Sequence, residues 1–481
     1  MRQRPCGPAR TGPARAGWIG LLVVGATGCP TPDPIEACDY ATLQDAVDQA
    51  PDFARVRICA GVHDQAIVVT RPLEVFGAST GGTVLAGGGA AAIATVIGTR
   101  GPVTIRDLTL RPPTGSSATI AGLEIDDSGR IEIDDLVVDF AGAVVPPAPG
   151  TPAAGLPVLP GYVGIDVASS DVAIHGVTLD TIGPAASFST GVRVRGLGAV
   201  ELDGVHIDGV AGAGIESTDA DVTVRDSLVE HTLTGISVLA GDLAVAHTTI
   251  DAAQEDGLAI TGGYLRADRV TITAPGRHGV LAAGGIADLD TTEIDAGEDG
   301  IHVTFGGVTA EACTIADPRA AGLHVHDAGF VIFHAGVVLR APVGVWLDDV
   351  AAYATLRDSD VTGATDRGVL LHDGQLAIAG GTISGSASHG IWADGGSGFI
   401  DGTTVIGSGG DGVVATGTAE LSATNMNLLD NAGYGLSCDG GTTGTTSHVA
   451  LLACTGIFDG NGVGAWHLFN GCQALYECIA L

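Results

Sequence analysis

A glycine followed by an aliphatic residue, one variable residue and usually a second aliphatic residue recurs along the chain. Between Gly191 and Gly435 this pattern returns at intervals of 21 to 24 residues. The residues between the glycines alternate between apolar and polar over short stretches, and such alternation is typical of β-strands that bury one face. Each period therefore predicts two or three short strands joined by Gly, Asp and Asn turns.

A period this regular indicates a solenoid in which every repeat forms one coil. The repeat also closely resembles the parallel β-helix repeat of the pectate-lyase-like superfamily, in which each period is one rung of a right-handed coil. We therefore predict an all-β, right-handed parallel β-helix over residues 38–437, with rungs of about 22 residues.

The residue after each glycine is predicted to point into the core, where these side chains would stack as one ladder. The members of this ladder are Val192, Ile215, Ile236, Leu258, Val280, Ile301, Leu323, Val345, Val369, Ile391, Val413 and Leu436. Because side chains alternate along a strand, the residues two and four positions after each glycine would then form two columns on the outer face.

The two ends of such a coil are exposed sheet edges, which invite aggregation unless they are capped. Near the N-terminus, Thr42 is predicted to begin a short amphipathic helix, and this segment resembles the N-terminal cap of the same superfamily. The apolar side of this helix consists of Leu43, Ala46, Val47 and Ala50. A Cys-rich cap is predicted at the other end, over residues 438–481. A Pro-rich insertion at residues 143–160 is predicted to protrude as a loop from one rung.

Residues 1–28 are typical of a bacterial signal peptide, because four Arg and no acidic residue precede a short apolar stretch. Residues 26–29 resemble the lipobox of bacterial lipoproteins, which implies lipidation of Cys29 and makes residues 29–37 a tether. Pro30 after the cysteine implies outer-membrane sorting under the same resemblance. We therefore expect an exported protein that is lipid-anchored at the outer membrane or cell surface. Cleavage without acylation, which would release a soluble protein, is the alternative.

Cysteine usage agrees with export into an oxidising compartment. Cys38 and Cys59 flank the first predicted helix and strand, and four more cysteines crowd the C-terminal 44 residues. The cysteines of this C-terminal group are Cys438, Cys454, Cys472 and Cys478. The simplest pairing is one N-terminal and two C-terminal disulfides, with the C-terminal connectivity open. Cys313 is then left as a free, buried thiol.

Charge excludes several classes of function. The chain has 21 Arg and no Lys against 55 acidic residues, for a formal charge of -34. Removal of residues 1–28 would leave 17 Arg against the same 55 acids, for a formal charge of -38. Nucleic-acid binding requires a basic face that releases counterions, so a nucleic-acid partner is excluded. The absence of Lys also excludes Schiff-base chemistry and a lysine general base.

The two predicted outer columns change from Thr, Ser and Ala to His, Trp and Asp in the same rungs. The candidate surface consists of His302, His324, His326, Trp346, Asp348, His372, Trp392 and Asp394. The residues that precede the glycines of these rungs include His278, Asp299, Arg367, His389 and Asp411. Indole faces stack on pyranose rings while polar side chains orient hydroxyls, so this composition favours a sugar-binding groove. In the pectate-lyase-like superfamily, polysaccharides commonly run along this outer sheet.

Residues 322–327 are partly similar to the Gly-x-Asp-Pro-His-Asp motif of mannuronan C5-epimerases. His326 and Asp327 match the motif, whereas His324 and Val325 replace its first Asp and its Pro. The resemblance implies that His326 and Asp327 are catalytic, with His326 moving the C5 proton and Arg367 neutralising the uronate carboxylate.

Cofactors are not required by any of these interpretations. Adjacent rungs could bring His302, His324 and His326 within about 5 Å, which is compatible with metal binding, but no particular metal is predicted. The acidic clusters at residues 124–127, 132–135 and 293–299 are compatible with Ca²⁺, and a solvated face is the alternative.

Three classes of function stay open. The favoured one is a carbohydrate-binding or adhesion module at the cell surface, with a polysaccharide or cell-surface glycan as its partner. The second is a polysaccharide lyase, epimerase or glycoside hydrolase that acts on an extended glycan. The third is a purely structural envelope protein.

Overall fold

The computed structural model of the protein describes residues 33–112, 121–140, 162–180, 182, 189–295, 297–439, 448–453, 457–469 and 473–476. Within these residues the chain is a parallel, all-β solenoid, as the repeat predicts, and it has about 17 turns. The signal peptide, the lipidation site Cys29 and the Pro-rich insertion at 143–160 lie outside the described residues. In the described part of the chain, no helix has the length and apolar character needed to cross a membrane.

Three parallel strand ladders run along the solenoid, and each coil contributes to them in the order first, second, third. The first ladder contains Ile67–Val69, Ala92–Ile97, Ala121–Asp126, Val163–Ala168, Thr190–Arg195, Ala213–Thr218, Thr234–Val238, Leu258–Ile260, His278–Ala282, Asp299–Val303, Ala321–Val325, Val343–Leu347, Arg367–Leu371, Ile391–Ala393, Val413–Thr416, Tyr434–Asp439 and Gly464–Phe469.

The second ladder contains Ile35–Glu36, Ala54–Arg57, Leu73–Phe76, Val103–Leu110, Ile131–Asp139, Val172–His175, Ala199–Asp203, Ala220–Arg225, Gly241–Ala246, Tyr264–Asp268, Ile286–Asp290, Gly307–Glu311, Phe330–His334, Tyr353–Arg357, Gln375–Ala379, Ser397–Asp401, Glu420–Thr424, His448–Ala453 and Gln473–Tyr476. The third ladder contains Gly61–His63, Thr83–Leu85, Thr178–Asp180, His206–Asp208, Leu228–Glu230, Thr249–Asp251, Thr271–Thr273, Glu293–Asp295, Thr314–Ala316, Val337–Leu339, Asp360–Thr362, Thr382–Ser384, Thr404–Ile406, Asn427–Leu429 and Phe458–Asp459. Two long strands, Val103–Leu110 and Ile131–Asp139, take part in both.

The predicted inward ladder is confirmed over its whole length. All twelve residues from Val192 to Leu436 are at most 1% exposed. Each one pairs with the next in register, from the pair of Val192 and Ile215 to the pair of Val413 and Leu436. The core is therefore a continuous aliphatic column, and its regular spacing fixes which residues face outward.

Close packing between the first and third ladders explains why glycine recurs in every rung. A Cβ atom on Gly300 would lie 2.2 Å from Cγ2 of Ile315 and 2.7 Å from the backbone oxygen of Gly322. Both distances are too short for any side chain, because the neighbouring atoms belong to a buried residue and to the backbone. Glycine therefore recurs in the sequence because the coil leaves no room for a side chain at this position of each rung.

The N-terminal cap is the predicted helix. It spans Leu43–Gln49, and the hydroxyl oxygen of Thr42 accepts a hydrogen bond from the backbone N–H of Asp45 at 3.0 Å. The predicted apolar side is buried against the start of the core. Two short 3-10 helices, Ala37–Asp39 and Gly87–Gly89, complete the helical content of the described residues.

The cysteines agree with the predicted pairing where the structure describes them. Cys38 is bonded to Cys59, and Cys313 is free and buried. Burial raises the pKa of the Cys313 thiol to about 11. Cys438 is also disulfide-bonded. The other cysteines of the C-terminal group, Cys454, Cys472 and Cys478, lie outside the described residues.

The segment 438–481, for which the sequence predicts a separate cap, continues the coil where it is described. Gly464–Phe469 pairs with Tyr434–Asp439 in the first ladder. Two further strands of this segment, His448–Ala453 and Gln473–Tyr476, stack in the second ladder. The boundary at 437 therefore falls inside the strand stack, because the strands beyond it satisfy the backbone groups of the last regular rung.

Candidate functional site

The outer face of the first ladder carries the candidate site, from the strand His278–Ala282 to the strand Ile391–Ala393. Backbone pairing places His302 beside His324, and His324 beside Trp346, in consecutive rungs. Each of these three side chains is partly exposed, whereas the residues before and after it in its strand are buried. The predicted outward column is therefore present in these rungs.

A buried carboxylate lies at the centre of a group of imidazoles, which we call the Asp299 cluster. The cluster consists of Asp299 and the imidazoles of His278, His302, His324 and His326. Asp299 Oδ2 accepts hydrogen bonds from Nδ1 of His302 at 2.8 Å and from Nδ1 of His324 at 3.1 Å. Asp299 Oδ1 accepts a hydrogen bond from the backbone N–H of Ala321 at 3.0 Å. Both carboxylate oxygens are thus held in place.

Asp299 is 3% exposed, and its ionisation is controlled by its partners. Burial alone would raise the pKa of this carboxyl, but the hydrogen bonds from His302 and His324 outweigh burial and hold the pKa well below its usual range. Asp299 therefore carries a negative charge that the surrounding imidazoles must balance.

His324 lies between two carboxylates, since its Nδ1 faces Asp299 and its Nε2 lies 3.4 Å from Oδ2 of Asp348. Burial lowers the pKa of His324, but the hydrogen bond that its Nδ1 donates to Asp299 and the charges of both carboxylates raise the pKa above its ordinary value overall. The ring also stacks on Trp346, with 4.3 Å between ring centroids and 3° between ring planes. This stacking contact links the Asp299 cluster to Trp346.

His302 and His326 form a second chain of contacts that leads from Asp299 to the surface. Their Nε2 atoms are 2.9 Å apart, so one nitrogen donates its proton and the other accepts it. His302 uses Nδ1 to donate to Asp299, which leaves its Nε2 as the acceptor when the ring is neutral. His326 Nδ1 lies 3.0 Å from Oδ2 of Asp327. The order along this chain is Asp299, His302, His326, Asp327.

His278 is the most buried imidazole of the cluster, at 4% exposure. Burial, and then the neighbouring charge of His302, lower the pKa of His278 to about 4, so its ring is neutral at neutral pH. Its ring stacks on that of His302 with 4.2 Å between centroids. Its Nδ1 has no hydrogen-bond partner among the described residues and lies 3.6 Å from Oδ2 of Asp299. The cluster therefore contains one buried nitrogen that the protein leaves unsatisfied.

A shallow depression of about 360 Å³ adjoins the Asp299 cluster on the same face. Its lining consists of Trp346, Asp348, Arg367, Leu370, His372, Trp392 and Asp394. The guanidinium of Arg367 lies over the ring of Trp392, 4.8 Å from its centroid. His372 Nδ1 donates to Oδ1 of Asp394 at 2.8 Å. Two indoles and several charged groups thus face one surface.

The structure brings the predicted site residues together in these two neighbouring groups. His302, His324 and His326 belong to the Asp299 cluster, with Asp327 against His326. Trp346, Asp348, His372, Trp392 and Asp394 line the depression. Trp346 and Asp348 join the two groups, because His324 of the Asp299 cluster stacks on Trp346 and its Nε2 faces Asp348.

The sequence alone does not identify Asp299 and His278 as central residues. Both stand immediately before a glycine, and strict alternation would point them away from the outer column. The strand pairing joins His278 to Asp299 and Val280 to Ile301 but omits the glycines between them. Alternation therefore does not continue across the glycine. An acid and a histidine before the glycines of consecutive rungs are the sequence signal for this cluster.

Comparison with known families identifies the repeat. The family described as "Right handed beta helix region" matches residues 190–338, 256–398 and 343–475, which together make up more than half of the chain. The protein belongs to this family, and its coil is right-handed. No curated protein sequence matches the chain significantly.

Several solved structures share the coil but differ strongly in sequence. The catalytic domain of a GH87 alpha-1,3-glucanase in complex with nigerose is 9% identical, with 94% of this chain and 69% of that chain covered and a TM-score of 0.41. The surface adhesin PfbA of Streptococcus pneumoniae is 14% identical, with 86% and 93% covered and a TM-score of 0.33. A periplasmic alginate epimerase is 12% identical, with 90% and 83% covered and a TM-score of 0.22. These values describe a loose likeness between solenoids and nothing about the site.

Proposed function

We propose that this protein is an exported lipoprotein of the cell surface whose solenoid binds an extended glycan along the outer face of the first ladder. The observation that carries the proposal is the depression in which Trp346 and Trp392 flank charged and polar side chains. Two rungs separate the indoles, so they lie about 10 Å apart along the solenoid axis. An elongated ligand that follows this axis would contact both.

The side chains of the depression match the chemistry of sugars. Indole faces stack on the apolar faces of pyranose rings, and carboxylates accept hydrogen bonds from hydroxyls. Asp348 Oδ1 and Arg367 Nε are buried beside the depression and have no hydrogen-bond partner among the described residues, so a polar ligand or a water that reached them would satisfy both.

Charge favours a neutral glycan over a polyuronate. Asp348 and Asp394 line the depression together with Arg367, and the whole chain has a formal charge of -34. A polyanionic ligand would be repelled by this field unless a cation such as Ca²⁺ bridged it. We therefore expect uncharged polysaccharides to bind more tightly.

Binding of the purified protein to a panel of neutral and acidic polysaccharides tests this proposal. Trp346→Ala and Trp392→Ala should each weaken binding roughly tenfold, because each removes one stacking platform. Trp466→Ala is a matched control, since Trp466 is an exposed tryptophan of the same ladder outside the depression. A folded double variant of Trp346 and Trp392 that binds as well as the wild type would contradict glycan binding and leave a structural role.

A second candidate function is a carbohydrate-active enzyme, and the chain from Asp299 to Asp327 favours it. His326 is partly exposed, and its Nε2 contacts an imidazole that a buried carboxylate orients. This arrangement suits transfer of a proton to or from a bound sugar. His326→Ala should then abolish product release while binding stays nearly unchanged. Binding without any product in the wild type would exclude the enzyme and keep the binding module.

The lipid anchor is a separate part of the proposal. It rests on the short apolar stretch and on the lipobox resemblance that ends in Cys29. Mass spectrometry of the native N-terminus should detect a diacylglyceryl group on Cys29. An unmodified N-terminus at another residue would contradict the anchor without affecting the glycan proposal.

A further inference from the structure

We propose that His278, Asp299 and His302 form a binding site for a divalent transition metal ion such as Zn²⁺. One ligand atom from each of these three residues lies within 4.8 Å of the other two. Two imidazoles and a carboxylate are a donor set that Zn²⁺ commonly uses. The site lies beneath the proposed glycan surface and does not depend on glycan binding.

The separations around Asp299 fit an ion of this size. Ligand atoms about 2.1 Å from a tetrahedral Zn²⁺ lie about 3.4 Å from one another. Oδ2 of Asp299 lies 2.8 Å from Nδ1 of His302 and 3.6 Å from Nδ1 of His278. These two distances bracket the required value, so shifts of a few tenths of an ångström would admit the ion.

The unsatisfied nitrogen of His278 is an independent argument for a ligand. Its Nδ1 is buried, has no partner among the described residues and points toward the carboxylate of Asp299. An unpaired polar atom in a protein interior is unfavourable, and a bound ion is one of the recognised reasons for such an atom. A metal ion between His278 and Asp299 would satisfy it.

The surroundings of the three ligands are those of a metal site. The backbone N–H of Ala321 holds Oδ1 of Asp299, which is the orienting role of an outer-shell hydrogen bond. Oδ2 faces Nδ1 of His302, and the ion would take the place of the proton that His302 donates to it, so binding would release a proton. Nδ1 of His324 lies 3.1 Å from the same Oδ2 and is the nearest candidate for a fourth ligand. Nitrogen ligands favour Zn²⁺ and related ions over Ca²⁺, which prefers six or more oxygens.

The chain also provides a matched control group. Asp208, Glu230 and His231 bring three potential ligand atoms equally close together on the third ladder. His231 is largely exposed, and its Nδ1 already donates to Asp208 at 2.8 Å. This group has no buried unsatisfied atom, so we expect it to hold no ion at low concentration.

Metal binding can be measured on the purified protein after treatment with a chelator. Titration with Zn²⁺ in a calorimeter, together with metal analysis by mass spectrometry, should give one tightly bound ion per chain. Co²⁺ as a spectroscopic substitute should give the visible absorption of a tetrahedral, nitrogen-containing site. Neither measurement includes a glycan, so failure here leaves the glycan proposal untouched.

Variants distinguish this site from general surface binding. His278→Gln and His302→Gln remove the Nδ1 donors but keep polar groups of similar size, and each should weaken Zn²⁺ binding roughly 100-fold. His231→Gln should leave the affinity unchanged. The proposal is overturned if His231→Gln has the larger effect, or if the wild type binds less than one ion. It is equally overturned if Co²⁺ in the wild type shows only the spectrum of an octahedral, all-oxygen site, a result that does not depend on the folding of any variant.

Discussion

Two buried aspartates on the outer face of the first ladder obtain their partners in different ways. Asp166 accepts hydrogen bonds from Arg193 at 2.6 Å and from Arg195 at 2.9 Å. Asp299 accepts its hydrogen bonds from His302 and His324. Both carboxylates are at most 9% exposed, so both need compensation for the loss of water. The same scaffold therefore supports two chemically different solutions.

The partners of Asp166 and those of Asp299 differ in whether their protonation state can change. A guanidinium stays charged at every accessible pH, and the hydrogen bond that Arg193 donates to Asp166 raises the pKa of Arg193 further. Imidazoles can gain or lose a proton and can bind a metal through a free lone pair. The arginines around Asp166 thus form a fixed ion pair, whereas the Asp299 cluster can take part in proton transfer or metal binding.

The largest expected effect comes from truncating the core beneath each aspartate, which tests whether the core is packed equally well beneath Asp166 and Asp299. Ile165 precedes Asp166, Ile301 precedes His302, and both isoleucines are fully buried in the same ladder. Ile165→Ala and Ile301→Ala should each lower the free energy of unfolding by about 2 to 5 kcal/mol, since each leaves a cavity in the core. Urea unfolding measures both values. If Ile301→Ala lowers the free energy of unfolding far less than Ile165→Ala does, the core beneath the Asp299 cluster is more loosely packed than the core beneath Asp166.

The scaffold can be predicted well from the sequence, because every rung of the coil requires the same small and aliphatic residues at the same positions. Glycine in each rung, an inward aliphatic residue after it and an outward residue two positions later are all visible as a period. The same register predicts that His302, His324, Trp346 and Trp392 share one outer column, and the strand pairing agrees. The fold and the composition of the face therefore follow from local patterns.

The inner part of the site does not follow from the period. Asp299 and His278 precede their glycines, where the strand pairing is interrupted and alternation gives the wrong face. Which nitrogen of each imidazole meets which oxygen depends on side-chain packing across three rungs. The acid and the histidine before consecutive glycines mark where the cluster lies, but the contacts between individual nitrogen and oxygen atoms become apparent only in the structure.

A smaller effect should separate the two aspartates themselves. Asp166→Asn leaves two guanidiniums that cannot lose their charge facing an amide, and should lower the free energy of unfolding by about 2 kcal/mol. Asp299→Asn should cost less, about 1 kcal/mol, because an imidazole, unlike a guanidinium, has a neutral form whose N–H still donates to an amide oxygen. Chemical unfolding near neutral pH with a chelator present gives both values.

Raised salt provides the control for this pair of variants. Arg195 is about half exposed, so added salt should reduce the cost of Asp166→Asn more than that of Asp299→Asn. An Asp299→Asn variant that is less stable than Asp166→Asn at every salt concentration would contradict the distinction between fixed and titratable partners.

The smallest expected effect concerns an exposed imidazole–carboxylate pair, which shows how much burial contributes to the Asp299 cluster. The hydrogen bond that His231 donates to Asp208 raises the pKa of His231 above its ordinary value. A raised pKa in the folded state stabilises the protein below the unfolded pKa of about 6.5, and this stabilisation is lost as pH rises through the folded pKa. Because His231 is largely exposed, His231→Ala should lower the free energy of unfolding by at most about 0.5 kcal/mol near pH 6. Unfolding at about pH 9 should show no difference from the wild type. If His231→Ala instead lowers the free energy of unfolding more at high pH than at low pH, the ring of His231 contributes through packing. Solvent exposure would then not explain why His231 and His278 differ.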